Sequence, residues 1–145
     1  MKPIIFLDID GVLALKNSPL SDKHEGVIFK DEAVEQLHML LGSFDADIVI
    51  ISDRRMFKPL KELQNLFSHY SLDKYIADKL PDEMNYMDRE SAVTMYIYKN
   101  KIEKYIIIDD MPYFKEKFKD RLISVNPKIG LKISESDYRR CIKYL

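Results

Sequence analysis

The chain has little cysteine, little net charge and no long apolar run. Its only cysteine is Cys141, so no disulfide can form within the 145 residues. No stretch approaches the roughly 20 apolar residues that a membrane-spanning helix needs. The net charge of −1 provides no global field toward nucleic acid or a membrane surface. The opening segment MKPIIFLDID is too short and too acidic for a signal peptide. We therefore expect a cytoplasmic protein without a membrane partner.

Internal repeats, low-complexity segments and Gly- or Ser-rich linkers are also absent from the sequence. A chain of this length is the usual size of one domain. The sequence therefore predicts a single domain over residues 1–145, and it leaves the oligomeric state open.

Apolar runs and helical periodicity alternate along the chain. The predicted strands are residues 4–7, 48–51, 75–77, 105–108 and 122–125. The predicted helices are residues 31–41, with Gly42 as the stop, 56–70, 88–99, 112–118 and a terminal helix opened by Ser134. Strands without polar alternation are covered on both faces. The pattern predicts an α/β fold with a parallel five-stranded sheet between helices.

Residues 11–30 do not fit this alternation. Segments 12–15 and 27–29 predict a small hairpin flap, which would project from the strand end that carries Asp8 and Asp10.

Paired acids close two of the predicted strands. Asp8 and Asp10 follow the first apolar run, and Asp109 and Asp110 follow the run at 105–108. In open parallel sheets, ligands bind beyond the carboxyl ends of the strands, so these acids are expected at one site. Four ionised carboxylates cannot crowd together without a cation. Oxygen-only ligands suit Mg²⁺ bound together with a substrate phosphate, so the pattern indicates phosphoryl transfer.

Three motifs resemble the haloacid dehalogenase (HAD) superfamily. DIDGV at 8–12 is similar to its first motif, IVIIS at 48–52 to its second and IIIDD at 106–110 to its fourth. They occur in the family's order, each at a predicted strand end. The resemblance implies the Rossmann-like HAD fold.

A narrower resemblance is to the HAD domain of Swiss Army Knife RNA repair proteins. It is carried by IVIISDRR at 48–55, by Arg89 before a helix, and by the tail RLISVNPKIGL at 121–131. The deoxyribonucleotidase branch, with similar DMDGV and LIDD motifs, is the alternative.

The resemblance assigns the chemical roles. Asp8 would be the nucleophile that forms an aspartyl-phosphate, and Asp10 the general acid and base. Asp10 would also reach the metal through its backbone carbonyl. Gly11 would allow a sharp turn beside the phosphate.

Ser52 would hydrogen-bond a phosphoryl oxygen. Asp109 would bind Mg²⁺, with Asp110 as a further ligand or its hydrogen-bonded neighbour. The expected metal set is therefore Asp8, Asp10, Asp109 and Asp110.

The cation of the third HAD motif has two candidates. Arg89 opens a predicted helix where the similar family has an arginine, and Lys79 follows the short third strand. We favour Arg89, and Lys79 stays a candidate phosphate contact.

Arg54 and Arg55 directly follow the second motif. The similar family has Trp and then Arg here, so Arg55 matches and Arg54 departs. Guanidinium groups suit phosphate, and both arginines are candidate substrate contacts, together with Asp53. Further along, Tyr113 and Phe114 follow the acid pair, and core packing is favoured there over stacking on a base.

The intervals between motifs are too short for a cap domain. Between Asp10 and Ser52 lie 41 residues, and between Ser52 and Arg89 lie 36. HAD enzymes without caps often act on bulky substrates. The resemblance therefore implies an Mg²⁺-dependent phosphatase of a nucleotide or a nucleic-acid terminal phosphate. The alternatives are a phosphatase of small metabolites or proteins, and a catalytically idle HAD-like binding module.

Overall fold

The structure, a computed structural model, describes residues 2–15, 28–111, 114 and 116–145. Within these residues the chain forms one parallel sheet with strand order β3-β2-β1-β4-β5. The strands are β1 at Ile4–Leu7, β2 at Asp47–Ile50, β3 at Ile76–Lys79, β4 at Tyr105–Asp109 and β5 at Leu122–Ser124. The prediction of a Rossmann-like α/β fold with a five-stranded parallel sheet is confirmed.

Four α-helices connect or follow the strands in the described residues. They are α1 at Asp31–Phe44, α2 at Leu60–Ser68, α3 at Arg89–Asn100 and α4 at Glu135–Tyr144. Short 3-10 turns lie at Asp53–Arg55, Asp73–Tyr75, Asp82–Met84 and Glu116–Arg121. Among the described residues, no helix is long and apolar enough to cross a membrane.

Alternate strand residues point into two separate cores. Ile5 and Leu7 of β1 pack in the core that α1, α2 and α4 cover. Ile4 and Phe6 pack in the core that α3 covers on the other face. Both faces of the central strands β1 and β4 are buried, so these strands show no alternation of polar and apolar residues. Their sequences are therefore continuous apolar runs.

Two helices differ from their predicted bounds. Helix α1 continues past Gly42 and ends where Asp45 takes a left-handed conformation, with φ of 48°. The prediction that Gly42 ends this helix is therefore wrong, since an acidic residue provides the left-handed cap. The predicted helix at 56–70 is also too long. Residues 56–59 follow the 3-10 turn as a turn and a loop, and Pro59 is the N-cap of α2.

The terminal helix begins as predicted. The Ser134 side chain accepts from the Asp137 amide, and the Asp137 carboxylate accepts from the Ser134 amide, which completes a capping box. On this helix Cys141 is buried, whereas Ile142 is exposed.

Part of the expected flap and of the 112–118 helix lies outside the described residues. Residues 11–13 form a turn rather than a strand, and Ala14 makes an isolated bridge with Asp10. The Lys30 amide donates to the Leu13 carbonyl at 2.7 Å, so the two described ends of this segment lie side by side.

The topology brings the candidate residues together. From β1 the chain first builds β2 and β3 on one side, and then β4 and β5 on the other. The order therefore reverses beside β1, and ligands of α/β sheets bind at such a point. Asp8, Ser52 and Asp109 all lie at the carboxyl ends of adjacent strands there.

Candidate active site

A cluster of three carboxylates lies where β1 and β4 end. Asp8 directly follows β1 and is 3% exposed, Asp109 is the last residue of β4 and is fully buried, and Asp110 follows it. One carboxylate oxygen from each lies within 4.8 Å of the others. Of the four predicted metal residues, the structure thus brings three together.

The fourth, Asp10, directs its carboxylate elsewhere. Arg54 holds it, with Nε at 2.9 and 2.8 Å from the two oxygens and Nη2 at 2.7 Å from Oδ1. The Asp10 side chain is about half exposed. This geometry leaves the Asp10 carboxylate partly exposed beside Arg54, at the edge of the site rather than in the buried cluster.

The three-carboxylate cluster is electrostatically unfavourable on its own. Burial, and next the negative charge of Asp109, raises the pKa of Asp8 well above its ordinary value. Burial also raises the pKa of Asp109. Removal from water disfavours the charged form of a carboxylate, and a like-charged neighbour disfavours it further. An ionised Asp8 therefore requires compensating positive charge.

Arg89 provides part of that charge. Its Nη1 donates to both oxygens of Asp109, at 3.1 and 2.9 Å, and lies 3.5 Å from Asp8 Oδ2. Burial opposes the guanidinium charge, but Asp109 and Asp8 raise its pKa above the ordinary value. Because Arg89 is the first residue of α3, the helix dipole disfavours a cation there. The acids outweigh this effect.

The donor set fits a divalent cation. Three carboxylates against one guanidinium leave two negative charges, and all the free ligand atoms are oxygens. Carboxylate oxygen is the ligand that hard cations such as Mg²⁺ prefer. The buried Nε of Arg89 has no hydrogen-bond partner among the described residues, which leaves a donor for an anionic ligand.

Lys79 is not part of this cluster. Its Nζ donates to the carbonyls of Arg55 and Lys58, at 3.2 and 2.5 Å, and to Asp82 at 2.9 Å. Lys79 therefore holds the loop after β2, and of the two candidate cations it is Arg89 that contacts the acid cluster.

Ser52 ends the segment after β2 and is 1% exposed. Its hydroxyl accepts from the Arg54 amide at 3.3 Å and donates to Asp10 Oδ2 at 3.5 Å. Ser52 thus begins the 3-10 turn at Asp53–Arg55, and its hydroxyl faces the entrance of the site.

The side chain of Arg55, a predicted substrate contact, is buried, with Nη1 donating to the carbonyls of Ile51 and Ser52 at 3.1 and 3.2 Å. Burial lowers its pKa. Asp53, 3.5 Å from Nη1, offsets part of the buried charge. In this position the guanidinium supports the loop at Ser52 through backbone carbonyls.

Position 11 requires glycine for two reasons: the positive φ of the turn and the closeness of the Asp110 carboxylate. Its φ is +84°, and an added Cβ would overlap the Asp110 carboxylate, lying 2.7 Å from Cγ. A side chain at position 11 would therefore displace an acid of the cluster.

A groove beside Arg89 was not predicted from the sequence. It has a volume of about 490 Å³ and includes Asp53, a predicted substrate contact. The other residues that line it are Met56, Met87, Asp88, Arg89, Glu90, Met111 and Phe114. Its methionines come from three separate loops, so no local pattern marks them as neighbours. Phe114 packs against Phe118 as predicted, and it also lines this groove. Tyr113 lies outside the described residues.

Comparisons with known proteins address the family. A search of curated proteins found no match. A family model described as the HAD domain in Swiss Army Knife RNA repair proteins matches residues 4–135, which include all the candidate residues from Asp8 to Asp110. The match covers most of the chain, and the resemblance predicted from the motifs is confirmed. The chain belongs to the HAD domain family of Swiss Army Knife RNA repair proteins.

Proposed function

We propose that this domain is an Mg²⁺-dependent phosphatase that acts through an aspartyl-phosphate on Asp8. One observation carries the proposal: Asp8, Asp109 and Asp110 converge beside Arg89 at the point where the strand order reverses. Family membership supports hydrolase chemistry of the phosphatase type in general.

In the first step, the Asp8 carboxylate attacks phosphorus and the bond to the ester oxygen breaks. Asp10 gives its proton to the leaving oxygen. In the second step, Asp10 takes a proton from water, which attacks the same phosphorus, breaks its bond to Asp8 and releases inorganic phosphate. Arg54 keeps the Asp10 carboxylate oriented at the entrance between these steps.

The cation would be held by carboxylate oxygens of Asp8, Asp109 and Asp110 and by the Asp10 carbonyl. Arg89 also donates to both oxygens of Asp109. A bound Mg²⁺ neutralises the acids and orients the phosphate for in-line attack. Arg89 and the Ser52 hydroxyl would bind the phosphoryl oxygens, where negative charge accumulates in the transition state.

The favoured substrate is a nucleotide or a nucleic-acid terminal phosphate. Support comes from the family, whose description names RNA repair proteins. The short intervals between the motifs also support it, because an open site without a cap domain admits a large substrate. A cytoplasmic location, as expected from the sequence, is part of the same proposal.

A phosphatase assay tests the proposal most simply. Activity on p-nitrophenyl phosphate and on phosphorylated nucleotides should require Mg²⁺, and Asp8→Asn should lower kcat by at least about a hundredfold because the nucleophile is lost. Asp45→Asn is the matched control, since Asp45 is an exposed residue before β2 and Asn tolerates its left-handed backbone. A folded Asp8→Asn variant that keeps more than a few per cent of the wild-type rate would contradict the scheme.

Metal binding is measurable without turnover. Mg²⁺ at about 100 times its Kd should stabilise the fold by about 2.7 kcal/mol by mass action, which raises the Tm by several degrees. Asp110→Asn should reduce this shift, and Asp45→Asn should retain it. Identical melting curves in EDTA and in millimolar Mg²⁺ would argue against a shared cation site.

Substitutions of Arg89 and Lys79 should change different quantities: kcat for Arg89 and the Tm for Lys79. Arg89→Ala should lower kcat by about 10²- to 10³-fold, since it removes a donor to the transition-state charge. It also leaves Asp109 buried without its partner, so Arg89→Lys serves as a second variant that keeps a positive charge. Lys79→Ala should lower the Tm and change kcat by less than about threefold, or under 1 kcal/mol. A large kcat loss for Lys79→Ala, with none for Arg89→Ala, would reverse the assignment.

A further inference from the structure

The groove beside Arg89 adjoins the proposed phosphate site and differs from it in chemistry. The side chains of Met56, Met87, Met111 and Phe114 provide most of its apolar surface. Its volume of about 490 Å³ is within the range of roughly 300–1,000 Å³ that is usual for small-molecule sites. Arg89 lines the groove and also contacts Asp109, so a ligand could reach both places at once.

The apolar side chains suit a flat aromatic ring. Methionine sulfur makes favourable contacts with aromatic rings and adapts its shape to them. The Phe114 ring is held by Phe118, with ring centres 5.7 Å apart and planes at 84°. It is therefore anchored to the core on one side while it borders the groove. A ring that is already ordered loses little entropy when another ring packs against it.

The charged residues of the groove exclude a second phosphate. Asp53, Asp88 and Glu90 are acidic, and Arg89 is the one cation among the described residues that line it. Asp53 lies 3.3 Å from Arg89 Nη2 and 3.5 Å from Arg55 Nη1, so two guanidinium groups hold its carboxylate in place. Carboxylates at this rim repel phosphodiester groups and accept hydrogen bonds from amino or hydroxyl groups.

We propose that this groove binds the nucleobase of the nucleotide whose phosphate reacts at Asp8. The inference rests on the proposed phosphatase function and specifies its substrate. The base would lie among the methionines and Phe114, and its exocyclic amino group or the ribose hydroxyls would face the acidic rim. Any further nucleotides would leave the site in another direction, away from Asp53, Asp88 and Glu90.

Paired substrates test the inference. A nucleoside monophosphate and ribose phosphate carry the same reacting group and differ by the base. Base stacking corresponds to about 5- to 150-fold in binding, so the wild-type kcat/KM should favour the nucleotide by at least about tenfold. Phe114→Leu keeps an apolar side chain against Phe118 but removes the aromatic ring. Met56→Ala removes a methionine side chain that lines the groove. Both should reduce the preference by at least about threefold, mainly through the nucleotide KM.

Met39→Ala is the matched control, because Met39 is a methionine of α1 that is 43% exposed and does not line the groove. It should leave the preference unchanged. Equal kcat/KM for the nucleotide and ribose phosphate in the wild type would overturn the inference, because the base would then make no contact. A higher kcat/KM for hexyl phosphate than for the nucleotide would also overturn it, because the groove would then favour an alkyl group.

Binding can be measured independently of turnover. Asp8→Asn protein with ¹³C-labelled methionine methyls should show ring-current shifts at Met56, Met87 and Met111 when adenosine monophosphate is added, and none at Met39. Ribose phosphate should produce much smaller shifts. Unmoved groove methyls, with shifts elsewhere, would overturn the inference. Absence of phosphatase activity on every ester would instead contradict the proposed function, and the methyl shifts would then still decide whether the groove binds a base.

Discussion

The site depends on the burial of Asp8 next to Asp109 at the ends of two adjacent parallel strands. The two carboxylates cannot move apart, because β1 and β4 are hydrogen-bonded neighbours with both faces covered. Their repulsion is offset in part by Arg89, which the start of α3 places against both. The remaining negative charge defines what the site can bind, namely a divalent cation together with an anionic ligand.

Three arginines near this cluster have different surroundings and therefore different uses. Arg89 is paired with buried acids, and its buried Nε has no hydrogen-bond partner in the described part of the chain. Arg54 lies at the entrance and holds Asp10. Arg55 is enclosed and supports the loop through backbone carbonyls. In the proposed function, the charged cluster would bind the phosphate, and the methionines and Phe114 of the adjacent groove would bind the base, with Asp53, Asp88 and Glu90 also lining that groove.

The acids at the strand ends could be predicted because continuous apolar strands imply a parallel sheet, and such a sheet collects its carboxyl ends at one edge. The capping box at Ser134 is equally local. The different directions of Arg54 and Arg55 could not be predicted, because a 3-10 turn rotates consecutive side chains by about 120° and the sequence does not specify where the turn starts. Gly42 failed as a helix stop because Asp45 takes the left-handed conformation three residues later. The groove depends on tertiary packing of three loops, for which no sequence period exists.

The most direct test is chemical trapping of the phosphoryl group on Asp8. p-Nitrophenyl phosphate labelled with ³²P is incubated briefly with Mg²⁺ and the Asp10→Asn variant, and the mixture is quenched in acid. Its leaving group departs without a proton from Asp10, so loss of Asp10 should slow only the second step. The account predicts protein-bound label that hydroxylamine releases and that maps to the peptide containing Asp8. Release of phosphate with no protein-bound label, or label on a different residue, would contradict it.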